Sequence, residues 1–287
     1  MGACLIAPWS ASATDNQAWL NADISVWGGN FDYQEGEVAV GEHRDHVYGA
    51  AVDFRLGVGG TSHGTLSLDY EHTLNSMFND DDKLTHDDDQ TNFYRQIAYK
   101  HSFLVSDGTW VVSPYIGVGD SKDFGDNGGK PTDYKFFGLG VTKNLEKVSV
   151  DVQLGRVFSS DPYDETVNSG SYRGITIDYE HNDKVTYSGS FYALNGGRFD
   201  DDHDYDPTNV EIEQLSLSAE YQQKGSAISY WANTSFTDYR LEDSSDPHSW
   251  ETRIGLTYHF GEASGVSSRR YLPSLGRWIS MSANEIE

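Results

Sequence analysis

The sharpest chemistry the chain offers lies in two acidic segments: Asp80 and Asp82 in Asn79-Asp-Asp-Asp82, and Asp201 and His203 in Asp200-Asp-Asp-His-Asp-Tyr-Asp206. A His beside carboxylates can serve as general base while the carboxylates orient a water and a substrate. The same runs, with Asp87-Asp-Asp89, supply hard oxygen ligands. Neither Asp80-Asp-Asp82 nor Asp200-Asp-Asp202 continues into the Gly and distal Glu of a calcium loop, so no metal site is assigned and weak divalent binding at acidic loops is the expectation. No cofactor is expected. Zinc catalysis lacks a His-Glu-x-x-His spacing. Thiol catalysis lacks a thiol in the body of the chain, because the single cysteine, Cys4, lies in MGACLIAPWSASA, whose Ser-Ala-Ser-Ala ending suits signal-peptidase cleavage near Ala13. Residues 1–13 are read as a shortened signal peptide.

The elements that must hold these groups follow from composition and period. The chain has 287 residues, with 20 Lys plus Arg against 45 Asp plus Glu and a formal net charge of -25. No basic stripe exists to neutralise phosphates, which disfavours nucleic acid as a partner. The 7 Trp, 18 Tyr and 13 Phe argue against a disordered acidic chain. No apolar run reaches the ~18 residues of a membrane helix. Strands of a membrane barrel need apolar residues only at alternate positions, so low hydropathy does not exclude them.

From residue 18 the dominant period is two. In Trp19-Leu-Asn-Ala-Asp-Ile-Ser-Val-Trp27 one face collects Leu20, Ala22, Ile24 and Val26 and the other Asn21, Asp23 and Ser25. Such segments recur near 18–31, 46–58, 64–75, 92–104, 109–120, 134–144, 147–158, 172–181, 185–195, 211–222, 227–238 and 250–260. The connections alternate. Short ones fall at 59–63, 105–108, 144–147, 181–184 and 223–226, and long, acid-rich ones at 32–45, 76–91, 121–133, 159–171, 196–210 and 239–249. An antiparallel meander with tight turns at one end and long polar loops at the other predicts a single all-β, up-and-down transmembrane barrel of twelve strands, with ten or fourteen as alternatives, over residues 14–260. A soluble sandwich has no reason to keep that alternation.

Facing patterns agree. Trp110-Val112-Pro114-Ile116-Val118, Val148-Val150-Val152-Leu154 and Trp250-Thr252-Ile254-Leu256-Tyr258-Phe260 are uncharged, while their opposite faces carry Asp151, Glu251, Arg253 and His259. Strand four is a misfit, because the face with Phe93, Ile97 and Tyr99 also carries Arg95. Aromatic girdles are assigned to Trp27, Tyr99, Trp110, Tyr179, Tyr221, Trp250, Tyr258 and Phe260. Inward positions are assigned to Asp23, Asp53, Asp69, Glu71, Asp151, Asp178, Glu180, Glu220 and Glu251 against Arg55, Lys100 and Arg253. Rings of carboxylates in a narrow bore attract cations. The expected function is a passive channel for small hydrophilic solutes with cation preference. A closed structural or adhesive barrel, its interior filled by side chains, is the bland alternative.

These features resemble bacterial outer-membrane barrels of the porin-like class. Ser113-Pro-Tyr-Ile-Gly-Val-Gly119 looks like a common barrel-strand phrase, and Thr252-Arg-Ile-Gly-Leu-Thr-Tyr-His-Phe260 is similar to the closing strand read by the barrel assembly machinery. The resemblance implies the outer membrane of a Gram-negative-type bacterium, with membrane lipid and lipopolysaccharide as partners. A more local resemblance is to omptins, outer-membrane endopeptidases. Tyr187-Ser-Gly-Ser followed by Asp201-Asp-His203 and Asp204-Tyr-Asp-Pro207 looks like the strand and loop presenting their Asp-His pair, with Asp80 and Asp82 as the partner pair. Omptins have ten strands, and the Asp-His loop here is the fifth rather than the fourth. Outer-membrane phospholipases need a His and a Ser two residues apart, whereas His72 is followed by Leu74 and His101 directly by Ser102. Residues 261–287 are read as a non-barrel tail at the periplasmic rim. Within them Ser268-Arg-Arg-Tyr-Leu-Pro-Ser-Leu-Gly-Arg-Trp-Ile-Ser280 resembles the end of an Rhs-type core repeat.

Overall fold

The computed structural model describes residues 19–34, 43–57, 62–74, 91–106, 109–121, 132–159, 167–198, 208–241 and 248–260, with Leu275 and Trp278. The strands are β1 (Trp19–Gln34), β2 (His43–Gly57), β3 (Ser62–Leu74), β4 (Thr91–Val105), β5 (Trp110–Ser121), β6 (Thr132–Asn144), β7 (Val148–Ser159), β8 (Val167–Glu180), β9 (Val185–Arg198), β10 (Thr208–Gln222), β11 (Ile228–Leu241) and β12 (His248–Phe260). Each pairs antiparallel with its sequence neighbours, and β12 pairs with β1, closing a twelve-stranded up-and-down barrel. Closure leaves no open edge, so every ladder finds a partner around the ring.

Several strands run past their expected limits at the long-connection end. β1 continues through Asp32-Tyr-Gln34, β8 begins at Val167 rather than 172, and β11 continues through Tyr239-Arg-Leu241. Apolar alternation ceases there, while backbone pairing does not depend on it. Hairpins extend beyond the zone in which one face must be apolar.

Short turns obey local chemistry. Between β8 and β9, Asn182 Oδ1 accepts from the backbone N–H of Lys184 at 2.9 Å and of Val185 at 3.0 Å. This is an Asx turn. Between β10 and β11, Gly225 holds φ 77°, where a side chain would be strained.

Pro114 leaves a local gap. It pairs with Leu139 on β6, but toward β4 the ladder lapses between Lys100↔Tyr115 and Phe103↔Val112. Proline has no N–H to give. On the inner face, across this gap, Ser102 Oγ and Ser113 Oγ hydrogen-bond at 2.9 Å, both buried. Side chains thus bridge β4 and β5 where backbone cannot. Ser102→Ala is expected to lower barrel stability by about 1 kcal/mol, read as a lower urea midpoint of refolded protein in lipid vesicles. An unchanged midpoint would show that the bridge contributes nothing.

Candidate functional site

Residues that alternate inward form a lumen with two tiers. Toward the short turns the wall is charged and polar. Asp23 meets Arg55 Nη2 on one side and His259 Nδ1, at 2.7 Å, on the other. His259 Nε2 lies 3.1 Å from Ser229 Oγ. Asp151 accepts from Thr142 Oγ1 at 2.6 Å and from Gln153 Nε2 at 2.7 Å, and Asp178 accepts from Ser149 and Ser188 hydroxyls. Lys100 lies within electrostatic reach of Asp151 and Asp53. Higher on the wall, Arg253 donates to Glu251 through Nε at 2.6 Å and Nη2 at 2.7 Å, and its Nη2 lies 3.1 Å from Glu71. Glu71 in turn accepts from Trp27 Nε1 at 2.9 Å. The three inward bases assigned from sequence therefore all stand beside carboxylates, as charges in a low-dielectric wall require.

The second tier, toward the long connections, was not anticipated. Phe31, Val47, Tyr134, Phe136, Val157, Tyr172, Tyr192, Leu194, Ile212 and Tyr239 belong to one buried cluster. Its signal was present as inward glycines interleaved with inward aromatics on β5 to β9. Five such glycines sit opposite a ring: Gly117 pairs with Phe136, Gly119 with Tyr134, Gly138 with Tyr115, Gly155 with Tyr172 and Gly174 with Tyr192. A Cβ on Gly174 would lie 2.2 Å from the Tyr192 ring, and on Gly155 2.3 Å from that of Tyr172. The rings lie flat on the wall because the neighbouring strand has no side chain there.

Of the assigned inward residues, Asp23, Asp53, Glu71, Asp151, Asp178 and Glu251 are buried, and Arg55, Asp69, Lys100, Glu180, Glu220 and Arg253 are half-buried. Of the girdle residues, Tyr99, Trp110, Tyr179, Tyr221, Trp250, Tyr258 and Phe260 point outward and are exposed. Trp27 does not. It is 8% exposed, turned into the lumen beside Trp231 with ring centroids 6.1 Å apart, so its assignment to a girdle is corrected. Arg95 does point outward, and its misfit is resolved by Asp120, its register partner, whose two carboxylate oxygens share the Nε–H at 2.6 and 2.8 Å.

The tail also needs correction. Leu275 and Trp278 are helical and buried, and both belong to the apolar cluster, with the Trp278 and Tyr192 ring centroids 6.1 Å apart. At these two residues the tail is packed against the barrel interior rather than loosely at the rim. Asp80, Asp82, Asp201 and His203, the acidic loops and the leader fall outside the described residues. Among the described residues no group of three His, Cys, Asp or Glu could hold a metal.

No protein-family model and no curated protein sequence matches the chain. Among solved structures, an outer-membrane channel from Pseudomonas putida F1 aligns at TM-score 0.56 and 12% identity, covering 86% of this chain and 98% of that one. The KdgM porin in complex with disordered oligogalacturonate aligns at TM-score 0.46 and 11% identity over 83% of this chain and 99% of that one. The translocator domain of the autotransporter NalP from Neisseria meningitidis aligns at TM-score 0.44 and 12% identity over 86% and 90%. The chain has the fold of bacterial outer-membrane channel barrels.

The ring-on-glycine packing carries a prediction. Gly174→Val should destabilise the barrel by about 1–3 kcal/mol through overpacking against Tyr192, whereas Gly189→Ala, whose nearest new contact is Leu217 at 3.7 Å, should be neutral. Urea unfolding of both variants checks the contrast. Equal stability would mean that the rings are not held by the missing side chains.

Proposed function

We propose that this protein is an outer-membrane channel through which small hydrophilic solutes diffuse passively, with cations preferred over anions. The observation that carries the reading is the charged tier: inward carboxylates on β1, β2, β3, β7, β8, β10 and β12 surround only three Lys or Arg bases among the inward residues assigned from sequence, Arg55, Lys100 and Arg253. Carboxylates in a low-dielectric wall concentrate cations and repel anions. The outward apolar band, with Tyr179, Tyr221 and Tyr258 near the short turns and Trp250 near a long connection, supports placement in the outer membrane of a Gram-negative-type bacterium, inserted by the barrel assembly machinery. Lipid and lipopolysaccharide would then be its surroundings.

One observation favours a second reading, a closed barrel. Leu275 and Trp278 occupy the apolar tier, and many inward side chains, Gln96, Gln153 and Ser229 among them, are buried. The two readings part in a planar bilayer. The full chain in a salt gradient should show a cation-selective reversal potential, and a chain ending at Phe260 should conduct more by losing the two tail side chains from the bore. Asp151→Asn together with Asp178→Asn should reduce selectivity with little change in conductance. Silence with and without the tail supports the closed barrel, and anion preference overturns the charge argument.

A further inference from the structure

The outer wall carries an unbalanced group of cations. Lys135 on β6, Arg156 on β7 and Arg173 on β8 all point outward and are exposed, between the apolar band and the long connections. Their relation follows from register. Lys135 pairs with Phe158, two residues from Arg156, and Arg156 pairs with Ser171, two residues from Arg173. Each is thus the diagonal neighbour of the next, about 7–8 Å away across the strands.

Strand tilt puts the three near one level. The hydrogen-bonded row that starts at Trp110, the first residue of β5, runs through Lys143, Val150, Ile177, Gly189 and Leu217, each further from its short turn than the last. Rows climb toward the long connections, and the backward diagonal step from Lys135 to Arg156 to Arg173 offsets that climb. Arg95 continues the line but is held by Asp120. Among the described residues Lys135, Arg156 and Arg173 make no ion pair; Asp133, two residues along β6, and Asp120, diagonally across on β5, flank Lys135 and also face Arg95, while no described acid stands beside Arg156 or Arg173.

Apolar surface flanks them. Phe137 and Phe158 stack with centroids 6.0 Å apart, and the Arg156 guanidinium sits 5.7 Å from the Phe158 ring, which lies on its long-connection side. Leu154 and Ile175 are exposed on the short-turn side. Elsewhere on the rim the sign reverses, with Glu211, Glu213 and Asp238 gathered round Arg240. A chain of net charge -25 that sets three cations side by side over exposed hydrocarbon presents an amphiphilic anion site.

We propose that β6 to β8 form a binding site for a phosphorylated glycolipid of the outer leaflet, its phosphates on Lys135, Arg156 and Arg173 and its acyl chains along Leu154 and Ile175. This goes beyond the channel reading and rests on it only for the outer-membrane placement, and bilayer conductance plays no part in its test. Full-length protein in detergent micelles is titrated by native mass spectrometry with bisphosphorylated lipid A, dephosphorylated lipid A and inorganic phosphate. Removing the phosphates, or converting all three residues to Gln, should each weaken lipid A binding about tenfold or more. Arg240→Gln should leave it unchanged, and inorganic phosphate should not compete. Heat-modifiable migration verifies folding. Should the triple variant not fold, Arg156→Lys is expected to retain binding and Arg156→Glu to lose it. Equal binding of both lipids, retention by the triple Gln or Arg156→Glu variant, or competition by inorganic phosphate overturns the site.

Discussion

Everything in this molecule depends on closing β12 against β1, the one seam no turn connects. Each free backbone group left in hydrocarbon would cost several kcal/mol, and the two strands are separated by nearly the whole chain. The seam is reinforced where it can be. Inside the ring Ser25 Oγ meets Thr257 Oγ1 at 2.8 Å, Asp23 meets His259, and the Trp27, Glu71, Arg253 and Glu251 network spans β1, β3 and β12. Breaking one member of such a buried set strands its partner, a penalty of about 3–5 kcal/mol. The charges that would set selectivity therefore also hold the cylinder shut. On the channel reading, selectivity and ring closure draw on the same side chains.

Away from the seam the wall relies on fit rather than charge. From β5 to β9 inward rings lie on glycines of the neighbouring strand, and the polar bonds run along the circumference: Gln96 to Tyr134, Asp151 to Thr142, Asp178 to Ser188 and Thr176 to Tyr192. Bonds of this kind stiffen the wall without bridging the bore. A strand of alternating small and large inward residues packs sideways, which lets bulky aromatics line a ring of this size.

Much of this was legible in the sequence, and the failures are instructive. Period-two patterning and alternating connection lengths are local, so strand number, direction and facing could be read without coordinates. Parity already placed Leu20, Ala22, Ile24 and Val26 outside, which requires Trp27 inside. It was assigned to a girdle because residue type was allowed to outweigh parity. Arg95 looked anomalous because its partner Asp120 lies across a hairpin, and only register brings the two together. The apolar tier was missed because glycine alternating with tyrosine resembles a small, water-facing wall until neighbouring strands are aligned. The tail lacks a period of two, which excluded a further strand, yet Leu275 and Trp278 stand three apart, one helical turn, and can face one surface.

A water-filled bore lined by Phe31, Val47, Leu194 and Ile212 would expose apolar wall to solvent, at about 25 cal/mol per Å². Leu275 and Trp278 remove part of that exposure, since both are almost fully buried in the same cluster. Neither contact needs charge, and neither disturbs the ion pairs nearer the short turns. Filling the apolar tier and keeping the charged tier polar are thus compatible demands. The bore can be narrowed at the apolar tier while Asp23, Asp53, Asp151 and Asp178 stay available nearer the short turns, and on the channel reading conductance and selectivity would be governed by different residues.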